Sequence, residues 1–207
     1  MPGLRNIVVW IAVLSLAAPV CAGQYDAVFS QVQRMLAQSV KNDEAGLNLS
    51  QQQLESIPKP AHQTMKEARA LNQQGLDALK RKDYPTASIT FQKAQETDPA
   101  DIEIAGNLGY VHLKRGQLKR AEHQLIYAIS LAPGRASSWF NLGQVYGALN
   151  DAEKAAGAFA HAYRLSQNRA KTEELMRQAL IAPENNTATR TALQRALLLF
   201  GLSEPAQ

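Results

Sequence analysis

Four histidines, His62, His112, His123 and His161, and one cysteine, Cys21, are the side chains here best suited to metal binding or nucleophilic chemistry. Their surroundings do not organise them for it. The chain has no HExxH zinc-helix motif, no CxxC pair, no glycine-rich phosphate loop and no GxSxG nucleophile turn. The carboxylates Asp151 and Glu153 precede an Ala-rich stretch and read as charges at a helix N-terminus rather than an acid–base pair. Two Asn-x-Ser/Thr triplets, at Asn48 and Asn185, are short enough to arise by chance. No cofactor or metal is expected and no catalytic residue is assigned. What remains are amides and aromatics that recur at a fixed spacing, and these suit binding rather than bond-making.

The elements that position them are helical. Ala and Leu dominate, aromatics are 6% of the chain, and Pro and Gly fall between apolar periodic runs. Alternating β-branched stretches are nearly absent, so no sheet is expected. The formal charge of +4 is spread along the chain without a like-charged block, so a nucleic-acid partner is not inferred.

Residues 1–22 have the three-part layout of a secretory signal: Arg5, an apolar run from Ile7 to Ala18, then Pro19-Val20-Cys21-Ala22 with small residues at a cleavage point after Ala22. The run is shorter than a spanning helix needs, so no stable membrane span is expected after cleavage. The implied location is periplasmic or secreted. Lipidation at Cys21 is a second option, although Val20 is a poor neighbour for it, and an uncleaved anchor is a third. Cleavage after Ala22 would leave a mature chain without cysteine.

Residues 23–63 divide in two. Tyr25 to Val40 places Val28, Phe29, Val32, Met35, Leu36 and Val40 on one face of an amphipathic helix. The polar stretch from Lys41 to Pro60 reads as a linker or a loosely held short helix.

From residue 64 to 168 the chain repeats every 34 residues without a gap, in units 68–101, 102–135 and 136–169. Gly75, Gly109 and Gly143 share one register, as do Ala87, Ala121 and Ala155, then Phe91, Leu125 and Phe159, then Ala94, Ala128 and Ala162. Trp139, Leu142, Gly143, Tyr146, Ala155, Phe159 and Ala162 carry a resemblance to the tetratricopeptide repeat family over about half of the chain. The first unit departs from that pattern at Leu71, Gln74 and Ala78, and the second at Ala105 and His112.

The resemblance implies an all-α fold, a right-handed α-solenoid of antiparallel helix pairs with turns near Lys82-Asp83, Gly116 and Asn150. Gly143 and Ala155 would mark the closest crossing within a pair, with Trp139, Tyr146 and Phe159 filling the wider gaps. His112 would fall between helices as a core residue, and His123 and His161 on different faces of second helices. Residues 169–207 read as two more helices, a terminal cap or a degenerate fourth repeat, because a solenoid end exposes an apolar face.

By the same resemblance the first helix of each pair lines a concave groove. The groove residues are then Arg69, Asn72, Gln73, Leu76, Leu79 and Lys80; Glu103, Asn107, Tyr110, Leu113 and Lys114; and Ser137, Phe140, Asn141, Gln144 and Ala148. The carboxylate clamp of chaperone-binding members has only Asn107 in place here. Gln73, Asn107 and Asn141 instead form an amide ladder, which either bonds an extended peptide backbone or bonds only within the solenoid. The function expected is a non-enzymatic scaffold or adaptor of the cell envelope holding a protein or peptide segment. The alternative is an assembly factor for a pilus or secretion system. Self-association is also open, because the apolar face of Tyr25–Val40 could cap the first repeat, fill the groove or pair with a second copy.

Overall fold

The computed structural model describes residues 18–202, and of residues 18–24 only the backbone. Most of the segment read as a secretory signal therefore lies outside the described residues. Among the described residues there are ten helices and no strand. Three antiparallel pairs form the solenoid: α3 (Met65–Lys80) with α4 (Tyr84–Thr97), α5 (Ile102–Lys114) with α6 (Leu118–Leu131), and α7 (Ala136–Ala148) with α8 (Ala152–Leu165).

One turn joins each pair. Lys82, Gly116 and Asn150 take left-handed backbone angles, with φ of 59°, 69° and 62°. The next amide then donates back to the first helix: Asp83 to Ala78, Gln117 to His112 and Asp151 to Tyr146, at 2.9–3.0 Å. This is the Schellman closure, which satisfies carbonyls left open at a helix end. Asp83 and Asp151 then cap the second helix, accepting from Thr86 N and Lys154 N.

The repeated glycines have a more specific reason than a close crossing of axes. A Cβ on Gly75 would lie 2.6 Å from the Phe91 ring, one on Gly109 2.7 Å from the Leu125 side chain, and one on Gly143 2.7 Å from the Phe159 ring. Each glycine leaves a socket for the apolar side chain of the opposite helix. Ala87, Ala121 and Ala155 are fully buried beside it.

The departures of the first two units also acquire causes. Gln74, standing where the pattern has Leu, is exposed because no helix stacks in front of α3. A polar outer face is what a terminal repeat requires. In the second unit Ala105 leaves room for the Tyr127 hydroxyl to donate to the Pro99 carbonyl at 2.8 Å. In the third, Trp139 replaces Ala105 and its indole Nε1 donates to the equivalent Pro133 carbonyl at 2.7 Å. His161, in the register of Tyr127, is displaced from that bond and packs edge-on to Trp139, with ring centroids 4.5 Å apart.

Residues 41–60 are not a loose linker throughout. Helix α1 (Ala18–Val40) turns at Asn42, φ 57°, into helix α2 (Glu44–Glu55). Asp43 N bonds the Gln38 carbonyl and its carboxylate caps Gly46 N, the same turn as within the repeats. Leu47 and Leu54 are buried, which holds α2 in place. The hairpin does not cap the first repeat and does not enter a groove between first helices. It lies across the outside of α6 and α8. Tyr25 stacks on His123 of α6 with centroids 4.2 Å apart. Gln33 Nε2 donates to the Tyr146 hydroxyl at 2.5 Å. Arg164 of α8 bonds Asn42 and lies 3.5 Å from the Glu44 carboxylate.

This placement explains the Ala-rich sequence of α8. Every residue from Ala155 to Tyr163 is buried. A helix apolar on all sides is covered on all sides. On its outer face a Cβ at Gly157 would sit 2.3 Å from the Leu36 carbonyl oxygen, so α1 and α8 touch backbone to backbone.

The C-terminal pair is a cap, not a continuation of the repeat. Helix α9 (Arg169–Ile181) stands to the side, with Leu175 and Ile181 exposed. Helix α10 (Thr187–Leu199) takes the end position against α7 and α8. Its start meets the end of α7: Asn186 Nδ2 donates to Gly147 O and Asn150 Oδ1, both at 2.9 Å. Its far end meets the end of α8, Phe200 packing 4.5 Å from Tyr163. It thus runs antiparallel to α7, whereas successive first helices run parallel. A Cβ on Gly147 would be 2.3 Å from Thr189 Oγ1, so this contact too requires a glycine.

Two outcomes check this packing. Gly157→Ala should lower stability by about 1–3 kcal/mol by lifting α1 from α8, measured as a shift in urea midpoint. The second concerns His161, whose pKa falls to about 4 through burial first and the Arg164 charge second. The unfolded value is 6.5, so stability is fully present above that pH and is lost as pH drops from 6.5 toward 4. His161→Leu should flatten this part of the melting-temperature profile relative to the native chain. An unchanged difference between the two proteins across that window would contradict it.

Candidate functional site

With α1 and α2 covering the outer side of α6 and α8, the free face of the solenoid is the one presented by α3, α5 and α7. The sequence-derived groove residues all lie on these three helices, but they differ in what is left for a ligand.

The amides on α3 and α5 are committed to each other. Asn107 Nδ2 donates to Asn72 Oδ1 at 3.0 Å, and Asn72 is only 8% exposed. This bond runs from one repeat to the next, so these two residues hold the register of the solenoid. Gln73 turns aside and bonds Asp77 at 3.1 Å, and Lys80 lies 3.3 Å from the same carboxylate. Leu76 packs against the core around Phe91. Arg69 is exposed and lies 3.8 Å from Asp101, whose other oxygen caps α5 through Glu103 N and Ile104 N.

The α5–α7 half is different. Tyr110 is half-buried, with the Lys114 ammonium 5.4 Å from its ring centre. Phe140 is half-buried and edge-on to Phe159 at 5.3 Å, so the socket at Gly143 also fixes the groove aromatic. Asn141 and Gln144 are half-buried, one turn apart on the same side of α7, with no side-chain partner among the described residues. No charged residue occurs from Ala136 to Ala148. This part of the groove offers apolar surface, amide donors and acceptors, and a neutral floor, with Lys114 at its edge.

The histidines are scattered. His62 Nδ1 is 2.8 Å from a carboxylate oxygen of fully buried Asp98. Burial pushes that carboxyl up, but His62 and the amides of Gln63 and Ala100 outweigh it and hold the pKa below the usual value. His112 is half-buried, bonded to Gln117 at 2.8 Å, and less basic than usual through burial. His123 is exposed against Tyr25, whose phenol is pushed up to about 12 by burial and then by Glu122 and Asp26. His161 is enclosed with neither ring nitrogen bonded. Among the described residues no three metal-ligating side chains come together.

Tyr146 fills a gap between helices as the sequence indicates, but it also has a partner that the sequence did not indicate. Its hydroxyl passes from the groove helix α7 to Gln33 on the outer helix α1, with Lys154 5.3 Å from its ring. Ala156, Gly157 and Ala160, small residues away from the α7 contact, were the available signal that another helix covers α8.

Asn107→Ala should cost about 0.5–1.5 kcal/mol and Asn141→Ala close to nothing, both measured by chemical unfolding. Equal losses would mean that Asn141 is also a packing residue.

Known proteins agree with this architecture. A family model described as tetratricopeptide repeat matches residues 136–180. The BBSome complex member BBS4 of Xenopus tropicalis is 33% identical over 96 residues, 46% of this chain but only 19% of that protein. The chain therefore spans about a fifth of that relative's length. The type III secretion chaperone SycD of Yersinia enterocolitica, solved with a peptide of the translocator YopD, has a TM-score of 0.53 at 17% identity, covering 65% of this chain and 95% of its own. The first repeat domain of Spaghetti (RPAP3), bound to an HSP90 peptide, gives 0.52 at 17% identity over 69% and 99%. The Sgt2 domain from Aspergillus fumigatus gives 0.52 at 20% identity over 73% and 93%. At these identities the structures share a fold. The unbroken register, the sockets and the common turn give the chain the helical-repeat solenoid fold of these structures, and its residues 136–180 match the tetratricopeptide repeat.

Proposed function

We propose that the chain is a non-enzymatic interaction scaffold of the cell envelope that holds an extended segment of another protein against α5 and α7. The observation that carries this reading is the uncommitted strip of Tyr110, Phe140, Asn141 and Gln144, apolar surface interleaved with amides on a charge-free helix. Side-chain amides at this spacing match the donors and acceptors of an extended backbone, and the two aromatics supply burial. The Yersinia chaperone and the Spaghetti domain each carry a peptide in a solenoid of this fold.

The segment taken here is of a different kind from an acidic C-terminal tail. Asn72 stands at the first clamp lysine, Leu76 at the first clamp asparagine, and Ser137 and Asn141 at the last two bases, while Asn107 is bonded to Asn72. Neutral recognition of this sort selects for exposed backbone and apolar side chains rather than for charge. The envelope location rests on the signal-like residues 1–22, with removal after Ala22 leaving a mature chain in the periplasm or outside the cell.

The test uses the chain and its Tyr110→Ala/Phe140→Ala form as baits in an envelope extract, after matching their helicity and melting temperature. A protein retained by the first should be weakened at least about tenfold with the second, as expected when central aromatic anchors are cut. Equal retention would place binding elsewhere on the molecule.

A further inference from the structure

The outer face holds a second recess, independent of the concave groove. It opens in the angle between the start of α1, the segment leading from α2 to α3, and α6. Its volume is about 580 Å³, within the ordinary range for small-molecule sites. Val28 from α1, Ile57 from the connecting segment, and Tyr127 and Leu131 from α6 make its apolar wall, and Tyr25 stands over it against His123. The three walls come from three separate parts of the chain, so the recess exists only because the N-terminal hairpin lies where it does.

The recess is not closed. At Gln95 and Gln124, which bond each other at 2.7 Å, it runs into a shallower channel between α4 and α6. At His123 and Gln124 it meets a further hollow lined by His112, Lys119 and Arg120. This second end is basic. Lys119 is 3.1 Å from Glu122, and Glu96 stands on the α4 side, while Arg120, with Arg115 beyond it, has no carboxylate within ion-pair distance among the described residues. After burial itself, it is the charges of Arg120 and Arg115 that lower the basicity of His112, so the local field is positive. An apolar recess and a cationic hollow thus adjoin along α6, with Gln95, Gln124 and His123 at their boundary.

We propose that the recess and the hollow together bind a single-chain amphiphile with an anionic head, a free fatty carboxylate. The chain would lie among Val28, Ile57, Tyr127 and Leu131, and the carboxylate would reach Arg120 past the Gln95–Gln124 pair. The apolar wall favours an aliphatic chain, and Arg120, which no carboxylate among the described residues pairs, favours an anionic group at that end; Lys59 also lines the apolar recess, so Arg120→Glu decides which cation takes the carboxylate.

The test is titration of the full chain with monomeric oleate, read by isothermal calorimetry, alongside Ser130→Trp, which fills the apolar end from a half-buried position, and Arg120→Glu at the other end. Oleate should bind saturably at one per chain. Ser130→Trp should weaken it at least about tenfold, and Arg120→Glu by a similar factor. Oleyl alcohol, which lacks the carboxylate, should bind the native chain as weakly as oleate binds Arg120→Glu. Each variant must keep the native far-ultraviolet spectrum; should Ser130→Trp lose it, Ile57→Glu takes its place at the same wall. Non-saturating uptake, binding indifferent to both variants, or binding only to phosphatidylglycerol vesicles and not to monomeric oleate would overturn the proposal. Because Tyr110→Ala/Phe140→Ala should leave oleate binding unchanged, its result is separable from that of the groove.

Discussion

The contact of α8 with everything around it is the constraint on which the structure depends. Gly157 lets the Leu36 carbonyl of α1 approach at a distance no side chain would allow. On the other side of the same helix Phe159 enters the socket at Gly143, and its last turn packs against Phe200 after α10. Three neighbours converge on one helix, and small residues make each approach possible. The low intrinsic cost of alanine in a helix lets α8 be small-sided without losing helicity. A leucine-rich helix at the same place could be covered on one face only, and both the N-terminal hairpin and the C-terminal cap would lose their seat.

This arrangement divides the molecule into a covered outer side and an open inner one. The hairpin is held by backbone contact at Gly157, by stacking of Tyr25 on His123 and by Arg164 at the Asn42–Glu44 turn. Tyr146 ties the two sides together, since its ring is core to α7 while its hydroxyl is bonded on α1. Burial, followed by the Glu122 charge, raises its pKa well above that of a free phenol, so it remains a neutral donor and acceptor across ordinary pH. The groove face of α7 is thus braced from behind by the hairpin, which keeps Phe140, Asn141 and Gln144 on a fixed helix.

The repeats were legible because they are redundant: the same glycine, alanine and apolar positions recur three times, and each recurrence constrains the others. The hairpin and the cap occur once, and one instance gives no register to compare. Even so, Asn42-Asp43 repeats Asn150-Asp151, and this was a readable sign that α1 ends in the same turn as the repeats. Polar residues dominate 41–60, yet Leu47 and Leu54, two turns apart on one face of a short helix, suffice to bury it. The direction of α10 was not legible. It follows from Thr189 meeting Gly147, a long-range contact that no local pattern encodes. Among the groove residues, the sequence placed Asn72 and Asn107 together on the same face, but whether their amides point to each other or to a ligand depends on a bond of 3.0 Å across two repeats.

That bond also gives the groove its polarity along the solenoid axis. At the α3 end, amides and charges are satisfied internally: Asn72 with Asn107, Gln73 and Lys80 with Asp77, Arg69 with Asp101. A ligand there would have to displace bonds that already exist, and the net gain from exchanging one hydrogen bond for another is small. At the α7 end the amides of Asn141 and Gln144 have no side-chain partner among the described residues, so a peptide backbone would displace no existing protein bond there and would bury Phe140 and Tyr110 at the same time. Asn107 and Asn141, the same residue at the same register, therefore do opposite work in successive repeats. The Asn72–Asn107 pair fixes the spacing of the helices, and that spacing presents Asn141 and Gln144 to a partner.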